Sequence, residues 1–267
     1  MIRFAFLGAG KMASAIAQGL IAGGIVTPEN IACLGGTGTS ARRLAETTGI
    51  RLATGLDDLL NNVDVLVLAC KPQQFKLLDP RLKELTKGKL VLSVLAGFTT
   101  ARLAEFFSQA RGVVAVMPNT PTQVQAGVTA WAAEETLAPA DASLVEKCFG
   151  CLGTVIRIKE SLMNTVSAVS GSGPGFFFEI ISAFEAAAVT AGLDQETARQ
   201  LVRQTFIGSA RLLEKTGDSP DALRDAVTSP NGSTYAGLQV LAKHDLRGIF
   251  PQVIAAAVVR SGELGKM

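Results

Sequence analysis

"FLGAGKMASAI", residues 6–16, decides the fold. It leads from an apolar stretch through two glycines into a segment of helical periodicity. Gly8, Gly10 and Ala13 fit the pattern G-x-G-x-x-G/A. Gly8 permits a tight turn, Gly10 lets a pyrophosphate approach the main chain, and Ala13 lets the helix pack close to its sheet. The helix start supplies aligned N–H groups for the anion. Gly8, Ala9, Gly10, Lys11 and Met12 are therefore the expected phosphate-binding residues of a dinucleotide site. Glycine turns also arise by chance, but this one lies directly between a strand and a helix, as a functional site requires.

Outward from that turn, residues 1–158 alternate short β-rich runs with helical patterns, which predicts an α/β domain built on a mainly parallel, doubly wound sheet of the Rossmann type. The strand candidates are 2–7, 30–34, 63–69, 89–94 and 112–117, with 128–133 and 154–158 completing the sheet. Most are unbroken apolar runs, as strands buried on both faces should be. Ligands of such sheets bind beyond the carboxyl ends of the strands. That places Ala69, Cys70, Lys71 and Pro72 of "ACKPQ", Ala96 and Gly97 of "LAGFTT", and Asn119 of "MPNTPT" at the crevice. The competing reading of Lys71 is a solvated strand-end lysine. An NAD site usually carries an acid at the end of the second strand. Here "LGGTGTSARR" (34–43) has none between Glu29 and Glu46, and offers Thr37, Thr39, Ser40, Arg42 and Arg43 instead. Such a loop favours a 2′-phosphate, so NADPH is preferred and NADH possible. Either arginine alone is also compatible with a solvated helix face.

Residues 159–267 read as all-helical. A short helix and a Ser/Gly/Pro break precede a long helix starting near Pro174 and stopping at Gly192. Its run of Phe176, Phe177, Phe178, Ile180, Ile181 and Phe184, then alanines, is apolar nearly all round, which implies burial on every side. A domain this small scarcely buries such a helix alone, so a second subunit is expected to share the core. Asp194 caps the next helix (194–217) and Ser219 a shorter one with Pro220 in its first turn. The turn "TSPNGSTYAGL" (228–238) then opens another helix, and a last one follows from Leu246.

The chain of 267 residues is 48 % apolar and 18 % charged, which excludes disorder. Its net charge of +2 carries no basic block, against a nucleic-acid partner. The absence of an uninterrupted apolar stretch of about 20 residues argues against a membrane span. The first residues do not have the pattern of a signal peptide. The expected location is the cytoplasm. Cys148 and Cys151 form a CxxC without flanking histidines or further thiols, and with Cys33 and Cys70 they read as packing residues; no metal site is expected. The single histidine, His244, falls in a surface loop.

"AVSGSGPGFFFEIISAFEAAAVTAGL" (168–193), "GSARLL" (208–213) and "LRDAVTSPNGST" (223–234), with "ACKPQ" and "MPNTP" before them, closely resemble the pyrroline-5-carboxylate reductase family over essentially the whole chain. The resemblance implies reduction of 1-pyrroline-5-carboxylate to L-proline with NADPH or NADH, the last step of proline biosynthesis. It also implies a helical C-terminal domain forming an intertwined homodimer, sometimes assembled into larger rings. It places the substrate carboxylate on Ser229, Gly232, Ser233 and Thr234, with the Thr234 hydroxyl reaching the imine nitrogen as the one catalytic side chain. Successive N–H groups at a helix start form an anion site without arginine, which agrees with that placement. Glu160 matches a family position near the substrate, and is equally readable as an ordinary helix-start acid. Asn231 departs from the family's usual second glycine, and asparagine is among the residues that tolerate positive φ. A protonated cyclic imine needs no strong side-chain acid, which fits a chain with one His and one Tyr. Two alternatives stand beside this reading. A β-hydroxyacid dehydrogenase relies on a lysine in the long helix, and none occurs between Lys159 and Lys215. A non-catalytic NADP-binding regulator has no need of an intact substrate turn.

Overall fold

Successive residues of a strand face opposite sides, so an apolar run in a strand must be covered twice. β1 (Phe4–Leu7) does this: Phe4 and Phe6 enter one buried cluster and Ala5 the other. The same alternation divides β4 (Val65–Leu68), with Val65 and Val67 on one face and Leu66 and Leu68 on the other. The structure is a computed structural model that describes residues 2–36 and 38–265. Its remaining strands are β2 (Ile31–Leu34), β3 (Arg51–Leu52), β5 (Leu90–Ser93), β6 (Gly112–Met117), β7 (Gly127–Ala133) and β8 (Gly153–Arg157). They form one sheet in the order β3-β2-β1-β4-β5-β6-β7-β8. All neighbours are parallel except β6 and β7. The order reverses between β1 and β4, the point beyond which open α/β sheets bind their ligands.

Six helices follow the strands: α1 (Lys11–Ala22), α2 (Ser40–Thr48), α3 (Leu56–Leu60), α4 (Leu82–Leu85), α5 (Thr100–Phe106) and α6 (Pro139–Gly150). Ile16 and Leu20 of α1 and Val145 and Phe149 of α6 cover one face, while Leu59, Leu82 and Leu103 cover the other. Full burial of each such side chain contributes about 1.5–3 kcal/mol. α1 packs closely because it carries glycine where neighbours press in. A methyl on Gly19 would overlap the Leu152 side chain, and one on Gly23 would lie 2.5 Å from Cys151 Cβ. The CxxC therefore rests against α1. Burial pushes the Cys148 thiol up to about 12, and the Cys151 thiol bonds the Cys148 carbonyl.

The second half comprises α7 (Met163–Val166), α8 (Gly173–Thr190), α9 (Gln195–Thr216), α10 (Pro220–Ala226), α11 (Ser233–Lys243) and α12 (Leu246–Leu264). By their contacts the residues form two compact units, Met1–Ser172 with Ala256–Met267, and Gly173–Ala255. The later turns of α12 thus belong with the sheet. Within the second unit α8 and α9 lie together, joined by the Arg203–Glu185 ion pair (2.7 Å) and an edge-on Phe184–Phe206 contact. Asp194 accepts from the Glu196 and Thr197 N–H groups, and Ser219 from Ala222.

Two features differ from the sequence reading. The edge strand β3 was not expected, because two exposed residues carry no apolar run. The Ser/Gly/Pro break is a π-helical turn, Ser167–Gly171, in which the Ser172 N–H donates to the Ser167 carbonyl at 2.8 Å.

Candidate functional site

The starts of α1 and α11 each have a glycine N-cap with no side-chain hydrogen bond. At α1 the N-cap is Gly10, which has no side chain to cap with, and the first helical bond is Ser14 N–H to Gly10 O (2.9 Å). The N–H groups of Lys11, Met12 and Ala13 precede that bond and point out of the helix end. A methyl on Gly10 would meet nothing within 4 Å, so the space in front is open. Gly8 behaves oppositely. Its φ is +106°, and an added methyl would overlap the Ala69 carbonyl and lie 2.6 Å from the Cys70 N–H. Gly8 N–H to Leu34 O and Ala69 N–H to Leu7 O, each 2.8 Å, tie this turn to β2 and β4. Gly8, Ala9, Gly10, Ala69 and Cys70 are thereby brought together.

Other expected residues follow the carboxyl ends of β2, β4, β5 and β6. Lys71 is exposed at the end of β4, its N–H held by Gln74 Oε1 at 2.9 Å, with Pro72 next in the chain. Burial pushes the Cys70 thiol up to about 11, which keeps it in the protonated form near neutral pH. Ala96 and Gly97 follow β5, with Gly97 at φ +82°. Asn119 is buried, and its Oδ1 accepts from the Val128 N–H at 2.9 Å. The turn it begins, Thr120–Val124, lies against α1. Ser40 starts α2, and Arg42 and Arg43 are exposed on it beyond β2. Thr37 lies outside the described residues. Glu160 accepts a hydrogen bond from the Thr100 N–H at the start of α5, on the β5 side of the sheet.

The second such helix start is α11. Pro230 and Asn231, the latter at φ +59°, form a turn closed by Gly232 N–H to Ser229 O at 3.0 Å. A prolyl second corner with a positive-φ third is the type II combination. Gly232 is the N-cap without a side-chain bond, and the first helical bond is Ala236 N–H to Gly232 O. The N–H groups of Ser233, Thr234 and Tyr235 are left free, with the hydroxyls of Ser233 and Thr234 exposed beside them. A methyl on Gly232 would overlap Ser229 Oγ and lie 3.1 Å from the Ser229 carbonyl oxygen, so Ser229 packs directly over Gly232. His244 is exposed at the far end of this helix.

Residues 3–97 match the family model described as NADP oxidoreductase, coenzyme F420-dependent, and residues 160–264 match that described as pyrroline-5-carboxylate reductase dimerisation. A pyrroline-5-carboxylate reductase of Methanosarcina acetivorans is 38 % identical, covering 99 % of this chain and 98 % of its own. The chain belongs to the pyrroline-5-carboxylate reductase family. A solved pyrroline-5-carboxylate reductase of Coxiella burnetii superposes with a TM-score of 0.90 at 36 % identity, covering 100 % of this chain and 99 % of its own. The Plasmodium falciparum pyrroline carboxylate reductase, solved with NADP bound, gives 0.89 at 29 % identity over 99 % and 98 %. In this pyrroline-5-carboxylate reductase family member, the sequence reading missed one set of contacts. The end of α12 lies on the loop after β5, where Arg102 Nη1 donates to the Gly265 carbonyl. No periodicity or spacing links residues so far apart.

Proposed function

We propose that this chain reduces 1-pyrroline-5-carboxylate to L-proline with NADPH, as a homo-oligomer joined through its C-terminal helices. Family membership along the whole length carries the reading, and the two open helix starts give it a chemical form. The crevice fits a dinucleotide. Gly10 leaves room for a pyrophosphate before the free N–H groups of Lys11 and Met12, and Gly8 seats the turn on β4. Arg42, Arg43 and Ser40 are disposed for a 2′-phosphate. Lys71, Pro72, Ala96, Gly97 and Asn119 line the ribose and nicotinamide side.

NADPH supplies the hydride and leaves as NADP⁺. The substrate's C=N bond becomes a single bond, its carbon taking the hydride while its nitrogen keeps a proton gained from solvent beforehand. The protein's work is orientation. The N–H groups of Ser233 and Thr234, with the Ser229 and Ser233 hydroxyls and Gly232, grip the carboxylate, and the Thr234 hydroxyl meets the ring nitrogen. Fixing the ring in this way turns a bimolecular encounter into a positioned one. Glu160 is the further candidate for the substrate, and one of its oxygens already accepts from the Thr100 N–H. The ring-sized assembly of some family members and a cytoplasmic location belong to the same proposal; among the described residues no helix is long and apolar enough to cross a membrane.

The deciding experiment mixes purified protein, NADPH and the cyclic imine. The expected result is loss of NADPH matched mole for mole by L-proline. A protein that binds NADPH yet leaves it unoxidised with the imine present is a regulator, and the catalytic proposal ends there.

A further inference from the structure

We propose that the last turn of α12 positions the loop Leu95–Thr99, and that this contact sets how tightly the nicotinamide half of the cofactor is held. The inference rests on the cofactor reading above, which places Ala96 and Gly97 on the nicotinamide side. The loop leaves β5 and reaches α5 through Gly97 at φ +82°, a conformation that alone would leave it mobile. The tail removes that freedom. A methyl built on Gly97 would lie 2.5 Å from the Gly265 nitrogen and 2.7 Å from the Ser261 carbonyl, and one on Gly265 would overlap the Gly97 carbonyl. Two main chains therefore touch with no side chain between them. Arg102 makes the tie specific. Its guanidinium lies 4.5 Å from the ring centroid of Phe98, a residue of the loop itself, and 5.6 Å from that of Phe75. The same group donates to the Gly265 carbonyl, where a cation complements the helix C-terminus. Ser261, itself buried, anchors the tail by donating to Asn164 Oδ1 at 3.0 Å. A loop held in its binding shape before the ligand arrives loses less entropy on binding. Arg102 and Gly265 are thus positioning residues, acting on the cofactor through the loop.

The test is calorimetric titration of the whole protein with NADPH and, separately, with adenosine 2′,5′-bisphosphate, which lacks the nicotinamide. Gly265→Ala pushes the tail off the loop, Arg102→Met deletes the donor but keeps the stem, and Arg102→Lys restores a donor. The NADPH Kd is expected to rise about fivefold in the first two variants, the worth of one hydrogen bond, and to recover in part with lysine. The bisphosphate Kd should stay within about twofold throughout, since it depends on the other half of the site. Unchanged NADPH binding in both variants overturns the proposal. Equal weakening of both ligands also overturns it, by showing a general loss of structure. Failure of the wild-type protein to bind either ligand is a different result, and removes the cofactor reading along with the inference.

Discussion

The two compact units bury their apolar residues to very different degrees. In the first, both faces of the sheet are covered, and Phe4, Phe6, Ile16, Leu66 and Phe149 are sealed. In the second, only Gly173, Ala198 and Val202 are buried, and the largest side chains face outward: Phe178 is 63 % exposed, Phe177 58 % and Phe184 52 %. Composition does not explain the contrast, because α8 is more apolar than most helices of the sheet domain. The difference lies in what covers each element. α1 and α6 have a sheet to lie on, whereas α8 has α9 along one side, where Phe184 meets Phe206, and leaves Phe177 and Phe178 exposed. A helix apolar all round is stable only when surrounded. The first unit carries its own core, and the second requires a partner.

The strongest challenge to that contrast is charge on the uncovered face. Phe177→Asp combined with Phe178→Asp should dissociate the oligomer and abolish turnover, while NADPH still binds to the self-contained first unit. Light scattering, the coupled assay and calorimetry read the three effects. An oligomeric, active double variant would show that α8 is not the contact. The converse substitution attacks the first unit. Gly8→Val places a β-branched residue at φ +106° and against the Ala69 carbonyl. The NADPH Kd should weaken on the order of 100-fold, a cost of about 2.7 kcal/mol, with subunit association untouched. Loss of both together would mean that the units do not stand independently.

How much of this was readable in advance follows the same division. The first unit announces itself through local signals. Gly8 to Ala13 sit between strand and helix, and the apolar runs at β1, β4 and β5 mark a buried sheet. β3 is the exception, a two-residue edge pairing with Ala32 and Cys33 that owes its existence to its neighbour. In the second unit, caps such as Asp194 and Ser219 gave helix starts, and the phenylalanine run gave the need for a partner. The π turn escaped notice because Ser, Gly and Pro spell a break in any local reading, while the hydrogen bond from Ser172 to Ser167 depends on register. The open N–H groups of α11 were legible as a turn chemistry, but their function came through family resemblance. The contact between Gly97 and Gly265 was invisible, since glycine at two distant places carries no sign of pairing.

At the level of single sites the comparison becomes one between two proposed anion grips, α1 for the cofactor and α11 for the substrate. Each can be weakened without touching the other. Arg42→Ala with Arg43→Ala should raise the NADPH KM by about tenfold while NADH kinetics hold, as removal of phosphate partners predicts. Unchanged NADPH kinetics would return both arginines to the solvated face of α2. Thr234→Ala should lower kcat/KM for the imine by about tenfold, about 1.4 kcal/mol, with NADPH binding intact. Wild-type kinetics in that variant would take the hydroxyl out of the mechanism.

The smallest effect is expected at the third corner of the turn that opens α11. Asn231 occupies φ +59° in the turn that precedes Gly232. Replacing it with glycine relieves the backbone of a conformation asparagine merely tolerates, a gain of about 0.5–1 kcal/mol at most. The same change loosens the unfolded chain, an entropic loss of about 0.4–1 kcal/mol. The two terms oppose and are of like size, so the thermal midpoint should move by no more than about 3 °C. The main-chain N–H groups proposed to hold the carboxylate keep their direction either way, because Pro230 and the Gly232–Ser229 bond define the turn. kcat/KM should therefore stay within about twofold. A severalfold rise in imine KM for Asn231→Gly, with the midpoint unmoved, would show that the amide side chain itself binds substrate, and the grip of α11 would no longer be a main-chain device.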